Sequence, residues 1–274
     1  MERLENSMYK ILALDIDGTL LNTKKEITPG TAKAIEELQE RNIPVIIASG
    51  RPEQGIYHVA NALNMKEKGG YILSYNGGKI TDCKTGEAVY SKTVPKEYYG
   101  DVCEYAKGLE CSLLTYEGDY IITEEPDNKY VDLESKVVRM PVKKVENLYD
   151  RLNFSVDKFL LVGEPEYMMS KVEAMAEHFR GRLNVFQSEP FFIEVVPMGI
   201  DKGASLDFLL SRLGMTRENL VACGDGRNDV TMIEFAGMGV AMGNACDEVK
   251  NAADYITSSC DEEGVLKAIK KFFR

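Results

Sequence analysis

At 274 residues, the chain has room for one large domain or two modest ones. Its 44% hydrophobic and 28% charged residues are the balance of a globular protein with a core, and no stretch approaches the roughly 20 apolar residues of a membrane helix. A net charge of −11 argues against a general nucleic-acid or anionic-membrane surface, while a bound cation with a few local basic groups would still admit a small anion.

The first ten residues, MERLENSMYK, lack the apolar centre of a signal peptide, so no export is expected. Residues 1–7 read as a short extension ahead of the first strand. Cys83, Cys103, Cys111, Cys223, Cys246 and Cys260 form no CxxC pair, which predicts reduced thiols and a cytoplasmic protein. His58 and His178 each fall inside a helical pattern and receive no role.

Residues 9–17 (YKILALDID) predict a strand, and 28–42 a helix with Thr28 as N-cap and Pro29 at its first position. A second strand follows at 43–49, a helix at 52–64 and a third strand at 70–76. These strands are near-continuous apolar runs, as buried parallel strands are. The rhythm returns late in the chain. A helix at 203–213 carries Leu206, Leu209, Leu210 and Leu213 on one face. Strands are expected at 219–225, 238–242 and 254–257, and helices at 228–236, 246–253 and 264–273. The pattern predicts a doubly wound parallel α/β sheet.

From about residue 95 to 195 the chain is richer in Glu, Lys and Tyr, with short strands (LLTYEGDYIITEE, KFLLVG, FFIEVVP) and helices. It is expected to be an inserted α+β domain, giving a core of 1–94 with 196–274 and an insert of 95–195. Pro95 and Pro197 mark the crossings. Two crossings make a hinge, and a cleft between domains is a favoured place for a ligand.

ILALDIDGTLLN drives Asp15 and Asp17 from the end of a buried strand. Positions i and i+2 point to one side if the backbone stays extended. The carboxyl ends of parallel strands are where open α/β sheets bind ligands. Ser49-Gly50-Arg51-Pro52, Asn76-Gly77-Gly78 and the segment from Gly224 to Asp229 close neighbouring strands at the same edge. With Asp225 and Asp229, four carboxylates are expected there, and they need a compensating cation. A hard, oxygen-seeking Mg2+ suits that set. Ser49 and Gly50 ahead of a helix, Lys202 ahead of another and Asn228 ahead of a third are suited to hold phosphate. The combination points to phosphoryl transfer, with Asp15 as nucleophile and Asp17 as acid and base.

DIDGTLL, ASGRP, IDKGAS and GDGRND, in that order, resemble the four motifs of the haloacid dehalogenase superfamily of phosphatases. The insert between the second and third resembles the type IIB cap of Cof-like sugar phosphatases, as do SYNGG and FFIEVVP. The resemblance runs from Met8 to the end of the chain. It implies that Asp15 is nucleophile and Mg2+ ligand, and that Asp17 is acid/base and binds the metal through its backbone carbonyl. It further implies that the Ile16 and Gly50 amides, Ser49, Lys202 and Asn228 hold the phosphoryl oxygens. Asp225 would be a metal ligand and Asp229 a ligand or the partner of one. Arg227 stands where the family often has Glu. Arg51 divides between substrate contact and a structural ion pair, Asn76 is a candidate substrate contact, and Glu194 is a weaker one.

The expected activity is a Mg2+-dependent phosphatase of small phosphorylated metabolites, sugar phosphates foremost, with a monomer as the default. A phosphomutase or phosphotransferase on the same parts is the alternative. A receiver-type switch fits poorly, because receivers carry no cap. A transport ATPase needs membrane spans. The glycines at 237, 239 and 243 do not make GxGxxG, and Asp229 stands where a dinucleotide motif needs its third glycine.

Overall fold

Thr28 starts the first helix where the sequence places it: its hydroxyl accepts from the Thr31 amide at 3.3 Å, with Pro29 next in line. The structure, a computed structural model, describes residues 8–274, so the expected N-terminal extension lies outside the described residues. In chain order the strands are β1 (Ile11–Leu14), β2 (Val45–Ala48), β3 (Tyr71–Ser74), β4 (Lys79–Asp82), β5 (Ala88–Ser91), β6 (Ser112–Glu117), β7 (Tyr120–Thr123), β8 (Val142–Lys144), β9 (Phe159–Val162), β10 (Leu183–Glu189), β11 (Phe192–Pro197), β12 (Leu220–Gly224), β13 (Met238–Ala241) and β14 (Tyr255–Ile256). The α-helices are α1 (Pro29–Glu40), α2 (Tyr57–Ala62), α3 (Met65–Lys68), α4 (Tyr99–Lys107), α5 (Lys129–Val138), α6 (Leu148–Arg151), α7 (Pro165–His178), α8 (Lys202–Arg212), α9 (Val230–Phe235), α10 (Asp247–Ala252) and α11 (Gly264–Phe272).

Two compact units result. The first takes the described residues up to Gly50, then Ile56–Tyr90 and Asp201–Arg274. Its sheet runs β14-β13-β12-β1-β2-β3-β4-β5, parallel from β14 through β3 and antiparallel between β3 and β4. Right-handed crossovers leave β1 toward β2 on one side and β12 toward β13 on the other, so helices cover both faces. Accordingly α1 packs with α11, and α8 with α9. Every residue of β1, β2 and β12 is buried, as the apolar runs require. The doubly wound α/β class is therefore observed. Strands β4 and β5 add an edge that the alternating pattern does not announce.

The second unit is Arg51–Gly55 with Ser91–Ile200. Its sheet runs β10-β11-β9-β6-β7-β8, antiparallel except for β7 and β8. One face packs Phe159, Leu161, Ile193 and Val195 against Val102 and Ala106 of α4 and Met168 and Met175 of α7. Period-2 alternation then sends Glu194, between Ile193 and Val195, to the opposite face.

The helix expected at 52–64 is broken. A 3-10 turn at Glu53–Gly55 precedes α2, and α3 follows after a left-handed Asn64. Pro52 has no amide to donate, and Gly55 interrupts the run. No helix among the described residues is long and apolar enough to cross a membrane. All six cysteines are free thiols.

Candidate active site

Strand β1 stops at Leu14, one residue short of the first aspartate. The Asp15 amide still donates to Cys223 O at 3.1 Å, but the chain then turns, with Leu20 N donating to Asp15 O at 3.2 Å and Leu21 N to Ile16 O at 2.8 Å. Gly18 makes the turn at φ +80°, and its missing side chain leaves room for Asp225, whose Cγ would lie 2.8 Å from a Cβ there. Both aspartates thus lie past the end of β1 and not within the strand that the sequence extends to residue 17. Asp15 is buried, whereas the Asp17 side chain is 37% exposed and pairs with Lys25 at 2.8 Å.

Behind Asp15 sits Lys202, the first residue of α8 and fully buried. Asp201 caps the helix, accepting from Ala204 N at 2.8 Å, and so fixes where Lys202 emerges. The Lys202 ammonium donates to Asp15 Oδ1 at 2.7 Å, to Asp229 Oδ1 at 2.6 Å and to Ala48 O at 2.9 Å. These partners use all three of its hydrogens. Asp229 in turn shapes its own loop: its Oδ2 accepts from the Asp225 amide at 2.9 Å and the Gly226 amide at 3.0 Å.

Asp15, Asp225 and Asp229 offer carboxylate oxygens that all lie within 4.8 Å of one another. Three carboxylates against one ammonium leave an excess of negative charge. Burial, then Asp229, pushes Asp15 up to about 8 despite Lys202, and Asp225 also acts in that direction. Burial raises Asp225 to about 6 although the Thr19 hydroxyl donates to it at 2.8 Å. Burial opposes charge on Lys202, but Asp15 and Asp229 outweigh it and hold the ammonium above its ordinary range. An all-oxygen set short of positive charge fits a hard divalent cation such as Mg2+. Asp17, outside this trio, still adds to the negative field at Asp225.

The residues expected to bind phosphate gather at the same edge in part. Ser49 follows β2, with its amide on Leu73 O at 2.8 Å and its carbonyl accepting from Asn76 N at 3.0 Å. Asn76 reaches Asn228, whose Nδ2 donates to Asn76 Oδ1 at 3.0 Å. A Cβ on Gly50 would stand 3.0 Å from both polar atoms of the Asn76 amide, so Gly50 permits that approach. Tyr75 and Asn76 adopt φ of 53° and 56°. A left-handed tyrosine costs of order 1–3 kcal/mol, and the turn it makes sets the Asn76 amide between Gly50 and Asn228. Ile16 is buried directly after Asp15.

Arg51 belongs to the second unit, where its Nη1 donates to Gly55 O at 3.4 Å. Arg227 is a surface residue, 82% exposed and paired with Glu248 at 2.8 Å. The α-helix expected directly after Ser49 gives way to a 3-10 turn at Glu53–Gly55. Two contributors went unread. Thr19 holds Asp225, and Asn244 Nδ2 donates to Gly18 O at 2.8 Å and to Asp225 Oδ2 at 3.4 Å. Asn244 follows β13 at the same sheet edge, so the edge rule would have found it.

The doubly wound sheet thus carries a buried Asp-Lys-Asp network at its carboxyl edge. Residues 12–269 match the haloacid dehalogenase-like hydrolases, and the chain belongs to that family. A haloacid dehalogenase-like hydrolase from Bacteroides thetaiotaomicron superposes with a TM-score of 0.92 at 45% identity, over 96% of this chain and 99% of that one. A 5-amino-6-(5-phospho-D-ribitylamino)uracil phosphatase from Bacillus subtilis is 31% identical over 97% of this chain and 96% of its own. A subclass IIB sugar phosphatase of known structure has a TM-score of 0.80 at 25% identity, over 96% of this chain and 99% of its own.

Proposed function

We propose that this protein is a Mg2+-dependent phosphatase of small phosphorylated metabolites, sugar phosphates foremost, and that Asp15 is its nucleophile. The observation that carries the reading is Lys202, fully buried and bonded at once to Asp15 and Asp229 beside Asp225. Kinship with phosphatases that act on phosphorylated small molecules supports the substrate class.

Asp15 attacks phosphorus through a carboxylate oxygen, and the bond from phosphorus to the leaving oxygen breaks as the aspartyl bond forms. Asp17 gives its proton to the leaving oxygen, then takes one from the water that attacks the aspartyl-phosphate and releases inorganic phosphate. Its half-exposed position next to Lys25 allows exchange with solvent between the two steps. Lys202 holds Asp15 in line and offsets charge on the transferring group, while Ser49, the Ile16 and Gly50 amides and Asn228 bind phosphoryl oxygens. Asp15, Asp225 and the backbone carbonyl of Asp17 would hold Mg2+, with Asp229 as a ligand or as the residue that fixes the loop. When bound, the metal supplies the missing positive charge that keeps Asp15 ionised and stabilises charge on the phosphoryl group.

The test is phosphate release from a panel of phosphorylated sugars, nucleotides and cofactors, with Mg2+ and with chelator, for wild type and Asp15→Asn. Release that needs Mg2+ and vanishes in a folded Asp15→Asn protein is the expected result. Turnover persisting in that variant removes Asp15 as nucleophile. Phosphate taken up but released only to an added hydroxyl acceptor makes the protein a transferase.

A further inference from the structure

Within the first unit, the Asp225 carboxylate is gripped from two sides by residues from distant parts of the chain. Thr19 Oγ1 donates to its Oδ1 at 2.8 Å. Asn244 Nδ2 donates to its Oδ2 at 3.4 Å and to Gly18 O at 2.8 Å. On the other side of the same side chain, Asn244 Oδ1 accepts from the Cys260 amide at 2.9 Å. That backbone donor decides which way the Asn244 amide points, since only an oxygen can receive it. Both hydrogens of Nδ2 are thereby turned toward Gly18 and Asp225.

The turn that supplies Cys260 is itself tightly placed. Ser259 and Glu262 form a capping box, with Ser259 Oγ donating to Glu262 Oε2 at 3.0 Å. Gly243 lets the turn approach: its amide donates to Ser258 O at 3.0 Å, and a Cβ there would stand 2.7 Å from the Ser259 nitrogen. The residue after Cys260, Asp261, accepts at Oδ1 from the amide and the hydroxyl of Thr23, each at 2.9 Å. One turn thus holds the loop beyond Asp17 at Thr23 and, through Asn244, the Asp225 carboxylate.

Asn244 is exposed, so its hydrogen bonds compete with water and add little to the stability of the fold. What they fix is the position of a group under repulsion. Asp229 and Asp17 both oppose a charge on Asp225, and like charges at short range drive a carboxylate toward solvent unless donors hold it. A lysine in place of Asn244 would also hold Asp225, but its charge would compete with a cation for the same oxygens. A neutral amide restrains the carboxylate and leaves its charge for the hard cation that an all-oxygen set suits.

We infer that Asn244 is a positioning residue for the metal, which ties Asp225 to Gly18, the neighbour of Asp17, and so sets the carboxylate for a divalent cation before the cation arrives. The inference rests on the Mg2+ site proposed above. It goes further by assigning part of the cation affinity to an exposed asparagine outside the four motifs and outside the ligand set. Asn244 acts through Asp225 and touches no reacting atom.

The test measures the Mg2+ dissociation constant of the full chain, free of substrate, by isothermal titration calorimetry. Wild type, Asn244→Ala and Asn244→Asp are compared, with unfolding midpoints in chelator beside them. Both variants are expected to bind Mg2+ about tenfold or more weakly, the usual cost of losing a partner that orients a metal ligand. Midpoints in chelator should stay within about 4 °C of wild type, as for the loss of surface hydrogen bonds. Asn244→Asp separates two explanations, because it keeps the shape and the bond from Cys260 but loses the donors and adds a negative charge. Tighter Mg2+ binding in that variant would mean that only the local field matters, and would overturn the inference. So would an affinity unchanged in Asn244→Ala, or a larger fall in midpoint in both variants, which would make the residue structural. A wild type that binds Mg2+ but releases phosphate from no ester overturns the phosphatase reading and leaves this inference standing on the affinities. A wild type that binds no Mg2+ overturns both.

Discussion

The two units solve the problem of burying charge in different ways. In the first, all the strands around the site are apolar, and the polar and charged groups stand just past the strand ends: Asp15 after β1, Ser49 after β2, Asp225 after β12. There the backbone amides and a buried Lys202 supply hydrogen bonds, and the carboxylate excess invites a cation. In the second, the charges sit in the middle of a sheet face, with Glu194 between Ile193 and Val195 and its partners drawn from β6, α5, Lys158 and Arg51. The first arrangement concentrates one sign of charge and suits chemistry on an anion with a metal. The second sets Lys158 and Arg51 against Glu134 and Glu194.

Lys202→Met should break this contrast most severely. It removes the cation bonded to Asp15 and Asp229 and leaves buried carboxylates unpaired. Stability should drop by about 3–5 kcal/mol, with turnover lost. A denaturation midpoint unchanged from wild type would show that the network is not what holds this edge together. Asp17→Asn should separate chemistry from structure. Turnover is expected to fall about 10²-fold or more, while the unfolding midpoint barely moves, because an exposed pair such as Asp17 with Lys25 is worth little. Rates within a few-fold of wild type would remove Asp17 as acid and base.

In the second unit the sharper probe is pH. Burial raises the folded-state pKa of Glu134 above its ordinary 4.5. The folded protein therefore binds that proton more tightly than the unfolded chain does. Stability from this group is highest below the unfolded value, declines as pH rises through the window between the two values, and levels off above the folded one. Glu134→Gln keeps an acceptor for Tyr116 and cannot ionise, so the gap in unfolding midpoint should widen in the variant's favour as pH rises from about 4. A gap independent of pH would contradict a buried, reluctant carboxylate. The smallest expected effect is Thr28→Ala, which removes the hydroxyl cap of α1 and should cost about 1 kcal/mol, without changing relative rates among substrates. A shift in substrate ranking there would mean that the first unit takes part in selection at a distance from its edge.

The sequence pattern was most informative where the physics is local. Apolar runs, Thr28 with Pro29 and the leucines of α8 yield the parallel sheet and its helices, because burial on both faces and capping leave direct marks in composition. It misled where the chain departs from regular geometry. Asp15 and Asp17 lie beyond the strand rather than on it, since β1 ends at Leu14 and Gly18 turns the chain. The helix expected after Ser49 gives way to a 3-10 turn whose residues join the second unit.

What the sequence determined by itself was the class of fold and which residues cluster at the edge, since each parallel strand must end there and the order of strands follows from the alternation. Only the tertiary structure decided that Lys202 lies between Asp15 and Asp229, that Asn76 is held in a left-handed turn against Gly50 and Asn228, and that Glu194 faces Lys158 rather than water. Those contacts join residues far apart in the chain, and their partners are fixed by packing, which no local pattern records.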